Sequence, residues 1–296
     1  MEYSFCRLCA RKCGADRAKA ERGFCGASDQ MTVSRAALHM WEEPVISSER
    51  GSGTVFFSGC SLGCVFCQNR EISRNARVGK TVTESELADI MLSLEREGAH
   101  NVNFVTPTHF APSVKRSILI ARERGLGIPT VYNTSSYDSV EALRMLDGVI
   151  DVYLADFKYY LGRTSERLSS AKDYPSAAKA AIREMVRQAP RPVIENGVMT
   201  SGVIVRILLL PSHVAEAKLI LKYLYGMYGD NIYISLMSQY TPIGNMPPPL
   251  NRRVTRAEYD ELCDYAVSLG VKNAFVQERE SVGESFIPKF DNTGVL

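Results

Sequence analysis

The sequence predicts an α/β fold: a partial (βα)6 TIM-like barrel preceded by a small cysteine-rich metal-binding unit. Two observations carry that expectation. From residue 54 onward, short runs rich in β-branched and aromatic residues alternate with stretches of helical periodicity, the pattern of a parallel sheet wrapped by helices. Six such units fall short of the eight that close a barrel, so an open, partial barrel is expected. A doubly wound open sheet is the alternative, since periodicity does not separate the two. Ahead of residue 54 the pattern differs: four cysteines fall within the first 25 residues, and the first 50 form no convincing amphipathic element. The expected division is a cysteine-rich unit over residues 1–50 and a barrel domain over 51–296.

Strands are read at TVFFS (54–58), NVNFV (101–105), IPTVY (128–132), DVYLA (151–155), VIVRILLLP (203–211) and NIYISLM (231–237), with NAFVQ (273–277) as an added last strand. The first full helix is signalled by a Thr83/Glu86 capping box, an apolar face of Leu87, Ile90, Met91 and Leu94, and a stop at Gly98. Further helices are expected over about 113–124, 138–146, 174–189, 214–228 and 255–269. In either architecture, function belongs at the C-terminal ends of the strands.

Composition narrows the class. With 35 basic against 33 acidic residues the net charge is +2, which gives no bulk field for nucleic acid or a membrane surface. The most apolar run is interrupted by Arg206 and is too short to span a bilayer. The start, MEYSFCRLCARKC, lacks the apolar core of a signal peptide. A cytoplasmic protein is expected, and in that compartment clustered thiols read as metal ligands rather than disulfides. Cys263, alone at helical spacing from Tyr259 and Val267, reads as a small buried hydrophobe.

Cys60, Cys64 and Cys67 follow TVFFS directly, at the functional end of the first strand. Structural zinc takes four protein ligands, and iron–sulfur clusters usually take four cysteines. Three thiolates on a four-iron cluster leave one iron with an open position, where chemistry can occur. A second constellation lies in DVYLADFKY, where Val152, Leu154, Asp156 and Lys158 share one strand face. Arg206 sits on the face of Ile204 and Leu208. A charge placed among apolar residues needs a partner. Either these residues form an internal ion-pair network, or Lys158 and Arg206 receive anionic groups while Asp156 holds a hydroxyl, an amine or a cation. Thr106, Thr108 and His109 close the second strand; Asn133, Thr134 and Ser135 close the third; Ser238, Gln239 and Tyr240 close the sixth. His109 is open to reading as a donor, an acid/base or a packed histidine.

The spacing Cys60-x3-Cys64-x2-Cys67, with Phe66 ahead of the last cysteine, resembles the radical S-adenosylmethionine (SAM) enzymes. The resemblance implies a partial barrel of the radical SAM type and a [4Fe-4S] cluster whose open iron chelates SAM. It further implies reductive cleavage to a 5′-deoxyadenosyl radical that abstracts hydrogen from a substrate. The segments LHMWEEPVIS, GSGTVFFSGC, CVFCQNREIS, GAHNVNFVTPTHF, VYNTSSY, DVYLADFKYY and SLMSQY are, more narrowly, similar to uncharacterised homologues of pyruvate formate-lyase activating enzyme. That family implies an oxidoreductase of glycyl-radical-activase type, with an electron donor such as flavodoxin or ferredoxin. It also implies that Asn133, Thr134, Leu154, Asp156 and Lys158 lie beside SAM, some of them holding a monovalent cation. Arg206 and Gln239 complete the expected SAM surroundings. Two positions depart from the activating enzymes: Asn133 replaces an aspartate, and Ser135-Ser136 replaces Asn-Gly. Thr106-Pro107-Thr108-His109 stands where radical SAM enzymes often carry a Gly-Gly-Glu-type segment.

Cys6, Cys9, Cys13 and Cys25 supply enough thiolates for a closed site, either zinc or a second iron–sulfur cluster. Six Arg and Lys residues among them would offset its negative charge. The substrate is expected to be either a glycine of a partner protein or a small molecule. A non-catalytic iron–sulfur protein that senses or carries electrons, and a zinc-stabilised interaction module, are the readings from other classes.

Overall fold

The computed structural model describes residues 3–277 and 288–295. After the N-terminal cysteine loops the chain forms β1 (Met31–His39), α1 (Pro44–Ser47), β2 (Ser52–Phe57), α2 (Arg70–Ser73) and β3 (Lys80–Val82). The repeating part continues with α3 (Glu84–Arg96), β4 (Val102–Val105), α4 (Ala111–Glu123), β5 (Thr130–Thr134), α5 (Val140–Met145) and β6 (Val152–Asp156). Then come α6 (Gly162–Ser169), α7 (Tyr174–Gln188), β7 (Val193–Glu195), β8 (Val198–Leu208), α8 (Val214–Tyr228), β9 (Tyr233–Met237), α9 (Arg256–Leu269) and β10 (Ala274–Val276).

The strand order is β10-β9-β8-β6-β5-β4-β2-β1-β3, with β7 attached to β8. From β2 to β10 along this path every pairing is parallel, so seven parallel strands stand where six repeats and a terminal addition are expected. Among the described residues the edges β3 and β10 do not pair, which leaves the barrel open. No helix among these residues is long and apolar enough to cross a membrane.

The predicted helices form for the predicted reasons. Thr83 Oγ1 accepts from Glu86 N at 3.2 Å while Glu86 Oε2 accepts from Thr83 N at 2.7 Å, closing the capping box of α3. Its apolar face joins the layer between helices and sheet, which holds Val55, Phe57, Phe104 and Tyr132. The other sheet face is filled separately, by Val131, Val152, Leu154 and Ile204 around Ile46 of α1. Strands covered on both faces therefore read as nearly continuous apolar runs.

Residues 31–39, which show no amphipathic pattern of their own, form β1, antiparallel to β2 from Val33↔Phe57 to His39↔Ser52. The chain then turns inward as α1 and plugs the concave face. Asn101 fixes that plug, donating to the Ile46 carbonyl at 2.7 Å and accepting from Ser52 Oγ at 2.6 Å. Ile46 is fully buried. Ile46→Ala is expected to lower stability by about 2–5 kcal/mol, read as a reduced urea midpoint with an unchanged slope.

Candidate active site

The C-terminal ends of the strands surround a cavity of 260 Å³. Cys60, Cys64 and Cys67 line it from the loop after β2. Every one of these sulfurs accepts a hydrogen bond: Cys60 from Leu62 N at 3.4 Å, Cys64 from Ser169 Oγ at 3.0 Å, and Cys67 from Ser73 Oγ at 3.3 Å. Burial pushes the Cys60 and Cys64 thiols up, so as free thiols they keep their protons, and binding a metal displaces them. Three thiols facing one cavity, each with a donor aimed at its sulfur, fit a three-thiolate cluster whose open side faces that cavity. Among the described residues, no group of three or more His, Cys, Asp or Glu side chains is arranged for a single metal ion.

The same cavity is lined by Thr106, Asn133, Thr134, Asp156, Lys158, Arg206 and Gln239. Alternation along β6 brings Asp156 onto the concave face above Val152 and Leu154, in register with Arg206 of β8. Arg206 Nε donates to Asp156 Oδ1 at 2.7 Å, its Nη1 to Glu42 Oε2 at 3.2 Å, and its Nη2 to Asn133 Oδ1 at 2.6 Å. All three nitrogens are thus engaged, and Arg206 serves first as the hub of an ion-pair network. Lys158 Nζ donates to Asp156 Oδ2 at 2.6 Å, which leaves two of its three N–H directions for a ligand. Burial opposes ionisation of Asp156, but Arg206 and Lys158 outweigh it and hold the carboxyl below its ordinary range. Burial also opposes the Lys158 charge, and Asp156 more than restores it.

Thr106 adopts φ +58° at the cavity wall, a conformation that costs a β-branched residue energy and that glycine takes freely. Ser136 likewise has φ +59°. Both turns are made without glycine. Thr108 and His109 stand behind the wall, outside the cavity lining. Thr108 Oγ1 lies 3.5 Å from Thr134 Oγ1, and His109 Nε2 donates to the Ser58 carbonyl at 2.8 Å. Burial lowers the His109 pKa to about 3, so it is a neutral, packed imidazole.

Glu42 and Glu43 are site residues that strand-end reasoning misses, because the N-terminal plug delivers them. Glu42 Oε1 accepts from Asn103 Nδ2 at 3.0 Å and Asn133 Nδ2 at 3.1 Å, tying the plug to β4 and β5. Glu43 is 7% exposed, and burial pushes its carboxyl up to about 7. An adjacent acidic pair before Pro44, inside an apolar run, was the available signal.

At the N-terminus Cys6, Cys9, Cys13 and Cys25 lie near one another, with Cys9 bridging to Asp138 beyond β5. Burial, with Cys25, Cys6 and Cys13 beside it, pushes the Cys9 thiol up to about 12. Cys263 lies half-buried against the main core and away from both groups.

Two outcomes follow from these contacts. Arg206→Met leaves Asp156 with Lys158 alone and removes the cationic partner of buried Glu42, and is expected to cost about 3–5 kcal/mol in denaturant unfolding. Folded Glu43 keeps its proton between its ordinary 4.5 and about 7, where the unfolded chain releases it. Its contribution is therefore fully present below pH 4.5, falls as pH rises to about 7 and is level above that. Glu43→Gln is expected to flatten this segment of a stability–pH curve.

Residues 54–188 match the model of the radical SAM superfamily. An uncharacterised protein of Methanocaldococcus jannaschii is 32% identical over 277 residues, covering 89% of this chain and 75% of its own length. A radical SAM methyltransferase from Sphaerobacter thermophilus superposes with a TM-score of 0.54 at 16% identity, covering 78% of this chain and 68% of that one. SuiB of Streptococcus suis, bound to precursor peptide SuiA, gives 0.51 at 13% identity over 74% of this chain. The matched part spans 46% of SuiB, so that likeness speaks for the fold alone. Membership implies SAM and a [4Fe-4S] cluster, the group that the Cys60, Cys64 and Cys67 side of the cavity fits. From the matched superfamily model, the relative aligned over nearly the whole chain and the shared open barrel, we conclude that this chain belongs to the radical SAM superfamily.

Proposed function

We propose that this radical SAM enzyme cleaves SAM reductively and abstracts hydrogen from a peptide or protein substrate, in the manner of a glycyl-radical-enzyme activase. The observation that carries the reading is that the cysteine triad and the Lys158–Asp156–Arg206 network face one cavity. Held by Cys60, Cys64 and Cys67, the cluster would supply the one electron that cleaves the SAM sulfonium to methionine and a 5′-deoxyadenosyl radical. The chain's residues bind and orient. Lys158, with two N–H directions left, receives the SAM carboxylate. Asn133 and Thr134 offer polar atoms to its amino-acid end, and Gln239, across the mouth on the segment after β9, faces the same space. Arg206 holds Asp156, Glu42 and Asn133 in position so that this wall does not collapse in the ligand's absence. A peptide substrate is favoured by the 54% exposed Trp41 at the cavity wall, a broad aromatic surface beside the entrance. A one-electron donor such as flavodoxin or ferredoxin completes the scheme.

Anaerobic reconstitution and reduction with SAM should give 5′-deoxyadenosine, and Cys60→Ala should abolish it. Deoxyadenosine persisting in that variant would place the chemistry elsewhere. Lys158→Ala should weaken SAM binding about tenfold or more, the worth of one charge-assisted contact, while the iron content stays unchanged. Equal affinity in a titration would remove Lys158 from the site.

A further inference from the structure

The N-terminal loops contain a buried cation held by neutral backbone carbonyls. Arg17 is 1% exposed, and a guanidinium does not give up its proton inside a protein. Its Nε donates to the carbonyls of Ala27 at 3.3 Å and Ser28 at 3.1 Å, and its Nη2 donates to Ser28 again. Nη1 donates to the His109 carbonyl at 2.6 Å and faces Cys6 Sγ at 3.5 Å. The rings of Tyr3 and Phe110 flank the group. Among the described residues no carboxylate pairs with it. Neutral carbonyls satisfy its hydrogen bonds but do not balance its charge, and an unbalanced buried charge is costly.

We propose that Cys6, Cys9, Cys13 and Cys25, which are not drawn in around a single ion in this structure, close on a tetrathiolate metal centre whose negative charge Arg17 balances, and that this centre braces the loop carrying Cys60 and Cys64. Four thiolates exceed the charge of zinc or of a four-iron cluster, so either centre is an anion beside Arg17. The loops are already shaped by their own backbone, with Gly14 N donating to the Cys6 carbonyl at 3.0 Å and Lys12 N to the Cys9 carbonyl at 3.0 Å. They dock on the barrel through Ala10 N to Tyr137 O and Ser139 N to Leu8 O.

The brace is Arg11, two residues ahead of Cys13. Its guanidinium stacks on Phe24, beside Cys25, at 3.5 Å. From there Nε donates to the Ser61 carbonyl at 2.7 Å and Nη2 to the Ser170 carbonyl at 2.8 Å. Ser61 follows Cys60, and Ser170 follows the serine whose hydroxyl donates to Cys64 Sγ. At Gly59, with φ +90°, an added Cβ would lie 2.7 Å from the Cys25 carbonyl oxygen, so the two loops touch backbone to backbone.

The brace rests on the radical SAM reading, whereas the metal centre does not, and the experiment separates them. C60A/C64A/C67A/C263A retains only the N-terminal thiols and is reconstituted anaerobically with iron, sulfide and zinc. The expected result is one retained centre per chain, seen as about four irons with sulfide or as about one zinc, and either supports the centre and names its metal. A folded variant that retains no stoichiometric metal, or whose four thiols are recovered as disulfides, overturns it. Arg17→Met should speed loss of that metal to a chelator about tenfold while Arg17→Lys preserves it, and equal rates would refute the charge pairing. With the triad restored, Arg11→Ala should release triad iron about tenfold faster without touching the N-terminal metal. Unchanged release of triad iron would refute the brace, and loss of both metals together would show that Arg11 only holds the loops folded.

Discussion

Arg206 carries a charge that cannot be titrated away, and its side chain is only 12% exposed within the concave face of the sheet. Every neighbouring element is arranged around that constraint. β6 supplies Asp156, β5 supplies Asn133, and the N-terminal plug supplies Glu42. Each partner then takes further bonds, Asp156 from Lys158 and Glu42 from Asn103 and Asn133, so four strands and the plug are tied through one guanidinium. Such a network adds little net stability over an apolar core, because desolvation offsets the attraction. Its consequence here is geometric, since it holds polar groups at defined positions on a wall that would otherwise close by hydrophobic packing.

The plug explains why an open barrel can keep an apolar floor beneath a polar mouth. β1 runs antiparallel to β2, and the following turn carries Ile46 down against Val131, Val152, Leu154 and Ile204. The adjacent Glu42 and Glu43 are then forced to the boundary between floor and mouth. Burial pushes both carboxyls up, Glu43 to about 7, while Asn103 and Asn133 donate to Glu42. Covalent adjacency to the plug thus places a second acid where a free choice of residue would not.

The two cysteine groups differ in what surrounds them. The triad faces the cavity and its sulfurs accept hydrogen bonds from Leu62, Ser73 and Ser169. The N-terminal quartet is not part of the cavity lining, and its Cys6 lies beside Arg17, which Tyr3 and Phe110 flank. Arg11 and the Gly59–Cys25 approach are where the two groups meet. Cluster loop and N-terminal loops therefore form one mechanical unit despite their separation in sequence.

Much of this was legible beforehand because it rests on local rules. Periodicity located the parallel strands and their long helices, a capping box marked α3, and the three-cysteine spacing marked the end of β2. Alternation alone put Val152, Leu154 and Asp156 on one face. β1 escaped because an edge-side strand with mixed exposure carries no clean period, and α1, α2 and α6 are too short for one to develop. His109 sits at a strand's functional end in the sequence, yet the chain turns it behind the wall onto the Ser58 carbonyl. Sequence by itself determined which residue types and periods were available, because both depend on near neighbours. Only the tertiary structure decided that Glu42 would meet Arg206, 164 positions away, and that Arg17 would be buried among backbone carbonyls, because burial and charge pairing are set by which segments pack together.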